Sequence, residues 1–528
     1  MHVGKRLTRF LTDSRADVAV AIATVAGSSG TLAYPFGRDQ GLYYYVGREW
    51  ALRGAVPYRD LLDHKTPGIY ILHALLVRLF GERMWAIRVA DLVALLLLGL
   101  ASARIATPVR RPVPPFLFAA AHLAASILFF GYLNFWDVAQ SELWYATLSL
   151  GSLAAARHVE KPDHACLAAG LALGAALVMK PLAIVFVPVL VTLTVLRTRE
   201  EAASTLSARA SLFGRKIAIT VAGAGSVIAL VIGYFAAKGA LGAMRDIVIG
   251  ANGHYVAHER GVDRVADIPD RIQAYLGRMQ PFSAIAIIAV VSFVALACKR
   301  RDFERLERWG TAGAVVLLGL TAVTTQQKFY LLHFGVMTGP WTVALAAVAY
   351  EVQSADVPIG RATRALAVTA GVIVLFALSG GPAREWFDTQ GRVLRHLRGK
   401  TSREEYAASF RFPDIQFDYG DSERVGLWLR AHSGPDDRVA VRGFDPEIYA
   451  VAQRRHAGRF FWTTFLTHPA RAYRRAEWLA EDRADLDTHP PRFAVVHRED
   501  KTGPESEAYF PGYVRRFESG RFIVLERP

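Results

Sequence analysis

The chain has 528 residues, 52% of them hydrophobic, and a formal charge of +15 at pH 7. Long apolar blocks alternate with short basic clusters up to about residue 380, after which the sequence turns polar. Basic residues gathered between apolar blocks are what cytoplasmic loops of a membrane protein carry, so the charge does not point to nucleic acid. Cys166 and Cys298 lie inside or at the end of apolar runs, which argues against a disulfide framework or a Cys-based metal site.

Lys5, Arg6, Arg9 and Arg15 precede an apolar stretch from Val18 to Tyr34. Because further hydrophobic stretches follow, this reads as an uncleaved first span rather than a signal peptide. A spanning helix needs about 20 mostly apolar residues. Candidates lie at 17–34, 85–105, 114–132, 142–157, 165–180, 182–197, 217–237, 281–298, 309–325, 331–350 and 364–380. With the amino terminus inside, the inner loops run from Arg104 to Arg111, Arg157 to Lys161, Arg197 to Lys216, Lys299 to Arg308 and Arg361 to Arg364, each with at least two basic residues. The alternating short loops, such as Leu133 to Ser141, hold about one or none, as the positive-inside rule requires.

Thr66 to Phe80 is apolar but short, and contains His73 and Arg78. Counting it as a span would put Arg110 and Arg111 outside, so it is expected to lie on or dip into the outer membrane surface. Two long loops, 34–83 and 238–280, then face outward. The expected fold is a polytopic α-helical membrane domain of about 11 spans over 1–380, with a carboxy-terminal extracytoplasmic α/β domain over 381–528. In that domain 438–443, 492–497 and 521–526 read as strands, 446–453 as the start of a helix and 473–485 as a charged helix. The polar stretch 399–424 reads as a connecting loop or short helices.

The first loop opens Pro35-Phe-Gly-Arg-Asp39-Gln-Gly-Leu-Tyr-Tyr-Tyr45. Asp39, just beyond the first span, has two compatible readings: a cap for the helix that follows, or a general base for an acceptor hydroxyl or amine. The loop continues Pro57-Tyr-Arg-Asp60-Leu-Leu-Asp63-His64-Lys65-Thr66-Pro67-Gly68-Ile-Tyr70. Lys65 sits where headgroups meet water, and can snorkel or meet a lipid-linked phosphate. His64 beside Asp63 is too little for a metal site. No metal ligand is assigned and no cofactor is certain; a divalent metal is open but not favoured. Lys180, next to Pro181 between apolar blocks, is either an intramembrane functional group or part of a turn. His254, His258 and Glu259 have metal-like types at i, i+4 and i+5 but no third ligand placed nearby, and read as an exposed acceptor-side loop.

These motifs resemble the GT-C superfamily: an acidic residue after span one, an aromatic helix, then Pro-Tyr-Arg-Asp-(x)3-His-Lys-x-Pro-Gly-Ile-Tyr. Within it they are similar to the polyprenyl-phosphate-sugar-dependent transferases related to protein O-mannosyltransferases and lipid A aminoarabinose transferases. The resemblance implies that Asp39 is the catalytic base and that Lys65 contacts the carrier phosphate. The sequence departs from the family in having Lys-Thr-Pro where Lys-Pro-Pro is usual, and Gln40 where a second acidic residue often stands. Glu142, at the start of the fourth span, matches a frequent acidic residue on the acceptor side, or simply complements a helix dipole. Gln326-Gln327-Lys328-Phe-Tyr330-Leu-Leu-His333 resembles a family element before a late span, with Lys328 as a second phosphate contact; an aromatic-belt and snorkelling role is the alternative. Asp63, His64, Tyr330 and His333 are expected in support.

The function expected is transfer of a sugar from a polyprenyl-phosphate donor to an extracytoplasmic glycolipid, polysaccharide or protein, with inversion, at the cell (inner) membrane. The partners are therefore that donor, one such acceptor and the lipid bilayer, and no nucleic acid. A transporter or flippase for a lipid-linked saccharide is the alternative from another class. It would call for charges at mid-bilayer and inverted repeats. An inactive scaffold displaying the carboxy-terminal domain is a third possibility.

Overall fold

In a bilayer every backbone amide and carbonyl must find its partner within the chain, and an apolar run does this by coiling. A computed structural model of the chain describes residues 15–109, 111–200, 205–259, 265–355, 361–468, 471 and 473–528. All eleven apolar segments expected to span are helical. Among the described residues eight helices are long and apolar enough to cross a membrane, or nine if one bent pair counts as a span. The remaining segments explain the difference from eleven. Pro115–Gly131 is a 17-residue apolar helix, and Ser141–His158 is long enough but rich in buried polar groups, among them Thr147, Ser149 and Ser152. Leu366–Ala377 is one arm of the pair, bent by 96° against Gly381–Leu397. Pro67–Phe80 forms a helix of 14 residues, about 21 Å long, short of the ~30 Å hydrocarbon core.

By packing, the chain divides into two units. One comprises Met1–Thr31, Val89–Leu230 and Gly261–Thr389; the other Leu32–Arg88, Val231–Arg260 and Gln390–Pro528.

The first unit is helical and knit by close approaches between small residues. Gly170 and Gly174, one turn apart on helix Pro162–Met179, press against the Thr220 and Ala224 carbonyls of helix Leu206–Ala237; an added Cβ would stand 2.2 and 2.6 Å from those oxygens. Spacing of this kind lets helix backbones meet in lipid, where apolar burial gives no drive to associate. Ionic groups collect at the helix ends. At one end Arg157 pairs with Glu307 at 2.8 Å, while Arg305 and Arg308 hold Glu351 at 3.0 and 2.7 Å. Glu142 begins the helix that ends beside Arg157, and Gln326 ends the helix that carries Glu307 near its start. Fifteen and nineteen residues of helix separate these groups, about 22 and 28 Å, so the two ends lie roughly a hydrocarbon core apart.

The second unit joins the first loop to the carboxy-terminal region. Short strands β1 (Arg411–Phe412) and β2 (Phe417–Asp418) form a ribbon. β3 (Val439–Val441), β4 (Phe493–His497), β5 (Val514–Ser519) and β6 (Phe522–Glu526) form a sheet in the order β3-β4-β6-β5. Only β3 and β4 are parallel. Alternate residues point to opposite faces of a sheet. Ala440, Ala494, Val496, Ile523 and Leu525 pack on Leu486 of helix Arg475–Thr488, while Phe493 and Phe517 meet Trp428 of helix Tyr419–His432, with ring centroids 5.3 and 5.5 Å away. Helices on both faces make this the α/β layer structure that the strand pattern implied.

The expected strands at 438–443, 492–497 and 521–526 appear as β3, β4 and β6. The polar stretch 399–424 holds helix Arg403–Ala408, the ribbon and the start of the 419–432 helix.

Below the sheet, Arg442 is fully buried and donates to both carboxylate oxygens of Asp482, at 3.1 and 2.6 Å, and to the Pro504 carbonyl. Removing one partner of such a pair leaves a charge stranded out of water. Asp482→Ala is expected to cost about 3–5 kcal/mol, read as a lowered unfolding midpoint of the full-length protein in detergent.

Candidate functional site

The outward loop begins with helix Arg38–Arg53, whose N-cap is Gly37. Gln40 turns back on that cap: its Oε1 accepts from the Gly37 amide at 2.6 Å and from Arg88 at 3.2 Å. Gln40 is wholly buried, so the residue standing in place of a second acid serves the helix start. Asp39 is therefore not the cap that one reading of the sequence allowed. It lies in the first helical turn, half-buried, where a carboxylate gains from the exposed amides of the helix start.

Tyr43 stands one turn after Asp39 on the same helix face. The Lys65 ammonium lies 6.0 Å from the centre of its ring. Lys65 therefore lies near the helix about one turn beyond Asp39. Lys65 precedes Thr66, the N-cap of helix Pro67–Phe80, and its carbonyl accepts from the Tyr58 hydroxyl at 2.7 Å. Among the described residues no carboxylate pairs with its ammonium.

Asp63 and His64 lie beside them, both buried. Asp63 accepts from Tyr70 Oη and from His64 Nδ1, the latter at 3.0 Å. Burial disfavours the Asp63 carboxylate, but the hydrogen bonds from His64 and Tyr70 and the charge of Lys65 outweigh it and hold its pKa below the ordinary value. Burial pushes His64 down, only partly offset by Asp63. With Nδ1–H committed to Asp63, Nε2 is an acceptor. His64 is ringed by Tyr255 at 5.5 Å and by Phe465 at 5.6 Å.

Sequence reasoning passed over Arg471. Its guanidinium lies 4.7 Å from the Tyr255 ring centre and donates to Glu259 at 3.4 Å. Burial works against its charge, yet Tyr255, Glu259 and Asp39 raise its pKa above the ordinary arginine value. It stands in a run of arginines, and nothing in that run singles it out. Glu259, read as part of an exposed loop, is instead this arginine's partner.

The loop is clamped from the carboxy-terminal side. Arg38, next to Asp39, donates to buried Asp445 at 3.3 Å and to the Ile415 and Gln416 carbonyls. Asp445 also accepts from Arg521, and from His497 at 3.2 Å. Burial opposes the Asp445 carboxylate, but Arg38, Arg521 and His497 hold it far below the usual range. Gly41 meets the Glu447 backbone so closely that a Cβ there would fall 2.4 Å from the Glu447 nitrogen. His497 also faces Asp500 and Glu505, and their donor atoms lie within 4.8 Å of one another. Among the described residues this is the one grouping with metal-ligand chemistry, and it draws on none of the site residues read from the sequence.

The remaining expected residues lie in the other unit. Lys180 Nζ donates to Glu142 and to Gln326 Oε1, the latter at 2.7 Å, with the Tyr145 ring centre 5.9 Å away. Lys180 is therefore the partner of Glu142 at the head of the 141–158 helix. After Gln326 the chain turns sharply through Gln327 and Phe329, both left-handed with φ of 53° and 52°. Non-glycine residues held there mark a segment whose surroundings over-determine it. Lys328 and His333 are buried, whereas Tyr330 is 43% exposed. Gly335, two residues beyond His333, lies against Glu142 with room for a Cβ only at 3.1 Å, so this turn and Glu142 share one end of the unit.

Residues 64–222 match the family described as dolichyl-phosphate-mannose-protein mannosyltransferase. No curated protein sequence matches the chain. Among solved structures, ArnT from Cupriavidus metallidurans bound to undecaprenyl phosphate is similar at 14% identity, with a TM-score of 0.59 over 98% of each chain. The same protein in the apo state is similar at 15% identity and a TM-score of 0.58, over 99% of this chain and 98% of that one. The resemblance read from the sequence is borne out by these matches, and the protein is a multi-pass membrane protein that shares the fold of those structures.

Glu447 gives the clamp a pH dependence. Burial, reinforced by Asp445, pushes its pKa up to about 8. Its folded-state pKa then exceeds the unfolded one, so the folded protein binds the extra proton. Stability from this group is full below about 4.5 and is lost as pH rises to about 8. Glu447→Gln is expected to match the parent near pH ~5 and to unfold at higher temperature near pH ~8.5, measured by thermal unfolding across that range.

Proposed function

We propose that the protein is an integral membrane glycosyltransferase that moves a sugar from a polyprenyl-phosphate donor to an extracytoplasmic glycolipid, polysaccharide or protein. The amino terminus is cytoplasmic, in the cell (inner) membrane. Residues 1–380 form the membrane-embedded catalytic part, and 381–528 the extracytoplasmic domain. The observation that carries this reading is the Lys65 ammonium lying 6.0 Å from the centre of the Tyr43 ring, one helical turn beyond Asp39 on the 38–53 helix. Support comes from the fold shared with a protein solved with undecaprenyl phosphate.

Asp39 takes the proton from the acceptor as its oxygen or nitrogen attacks the anomeric carbon. The bond from that carbon to the phosphate oxygen breaks, and polyprenyl phosphate leaves with the electron pair. Lys65 neutralises the charge that develops on the departing phosphate, and Lys328 is a second phosphate contact. A single carboxylate serving one displacement gives inversion, since retention needs a second carboxylate as nucleophile. Gln40 being committed to the helix cap fits a one-carboxylate site. Asp63 holds His64 and Tyr70 in place around Lys65. Glu142, with Lys180, and the turn carrying Tyr330 and His333 shape the acceptor side.

Asp39→Asn is expected to lower transfer by about 10²–10⁴-fold, the usual contribution of a general base, while the protein still folds. Lys65→Ala is expected to lower kcat/KM for the lipid donor, with kcat falling because the charge on the departing phosphate is no longer neutralised. Both are read with a labelled polyprenyl-phosphate sugar and the full-length protein in membranes. Undiminished transfer by the Asp39→Asn protein would overturn the mechanism.

A further inference from the structure

At the arginine-rich end of the helical unit, an open cleft of about 1290 Å³ runs along helix Phe303–Gln326. Its wall is mostly apolar, with Leu193, Leu196, Phe303, Leu317 and Leu318, and the Glu304 and Glu307 carboxylates lie toward its arginine end. Phe303 and Leu317 are 78% and 66% exposed, so the cleft opens sideways rather than into the protein. From Phe303 to Leu318 the helix rises about 22 Å. That is close to half of the ~40–45 Å bilayer with its headgroup zones, that is, one leaflet.

A second pocket, of about 680 Å³, adjoins the cleft and shares Val109, Arg111, Leu193, Leu196 and Glu307 with it. It is lined by Arg104, Arg111, Arg157 and Arg197 against the carboxylates Glu160 and Glu307. Two of the arginines are committed. Arg157 holds Glu307 and the Ile105 carbonyl, and Arg197 donates to the Ala156, Val159 and Glu160 carbonyls at 2.6–2.9 Å. Among the described residues the Arg104 and Arg111 guanidinium groups have neither a carboxylate nor a hydrogen-bond partner. The cleft therefore ends, among the described residues, in two guanidinium groups that form no ion pair.

We propose that this composite cleft binds one anionic phospholipid of the adjoining leaflet, with its phosphate at Arg104 and Arg111 and an acyl chain along the Leu193–Leu196 and Leu317–Leu318 groove. The planar guanidinium fork suits a phosphate better than a point charge would. Apolar contact alone does not select among lipids, because every lipid has apolar tails; the arginine pair supplies the choice. This end of the unit lies about 22–28 Å of helix from Glu142 and Gln326. The lipid site is thus at the opposite end of the unit from Glu142 and Gln326, and it does not depend on the proposed activity.

The test uses the full-length protein in nanodiscs and in neutral detergent, with phosphatidylglycerol and phosphatidylcholine as probes. Native mass spectrometry should show phosphatidylglycerol retained, and thermal unfolding should rise with phosphatidylglycerol but not with phosphatidylcholine. Arg104→Gln with Arg111→Gln should weaken phosphatidylglycerol retention at least tenfold and abolish the shift. Arg215→Gln, at an exposed basic position paired with Asp163, should change neither. Gly310→Leu, whose new side chain enters open space in the cleft wall, should expel the lipid while leaving the lipid-free unfolding temperature unchanged or higher. Equal retention of the two lipids, retention undiminished in the double variant, or polyprenyl phosphate retained in place of phosphatidylglycerol would each overturn the proposal.

Discussion

The loop that carries Asp39 and Lys65 depends on a carboxylate far away in the chain. Asp445 is buried and is shared by Arg38, Arg521 and His497. An unpaired carboxylate in that position would be costly, and each cation alone would be stranded. Together they fix the start of the 38–53 helix, and so the direction in which Asp39 leaves it. Around this core the contacts are of ordinary kinds. Tyr45 packs between Tyr449 and Phe461 with centroids 4.5 and 4.7 Å away, and its hydroxyl accepts from the His456 amide at 2.7 Å. The Trp462 indole donates to the Leu62 carbonyl at 2.9 Å, and the Leu62 amide to the Arg459 carbonyl at 3.0 Å. The loop is one layer of a packed body.

The spans were legible because a spanning helix writes itself as some 20 apolar residues in a row. The strands Val439–Val441, Phe493–His497 and Phe522–Glu526 were legible for a similar reason, as short apolar runs of a buried sheet. β5 was not: Val514-Arg-Arg-Phe-Glu-Ser519 is an outer strand with mostly exposed side chains. Helix Tyr419–His432 escaped because its amino-terminal half is polar and its start is fixed by the Asp418 side chain accepting from the Gly420 and Asp421 amides. The seventeen-residue helix 115–131 and the polar 141–158 helix show the converse, where apolar pattern found the helix but not its length or its surroundings.

Within the candidate site, residue type was legible and partnership was not. Asp39, Asp63, His64 and Lys65 stand out as charges in an aromatic loop. That Gln40 closes the helix cap, that Lys180 answers Glu142, and that Arg471 feels Asp39 are facts of three-dimensional neighbourhood. Lys180 and Glu142 are 38 residues apart and Arg38 and Asp445 are 407 apart. No local pattern records such pairs.

That last separation has a consequence for how the protein is made. Ribosomes add roughly 5–20 residues per second. Arg38 and the Gly41 contact surface therefore emerge about 20–80 s before Asp445 and Glu447 exist to receive them. During that interval the loop's cations stay hydrated and its tyrosines lack the packing partners that later bury them. Nearly all of the helical segments are translated in the meantime. The loop placed first in the chain is then completed among the last, and a nascent chain stopped short of residue 445 would hold its helices but not a finished loop.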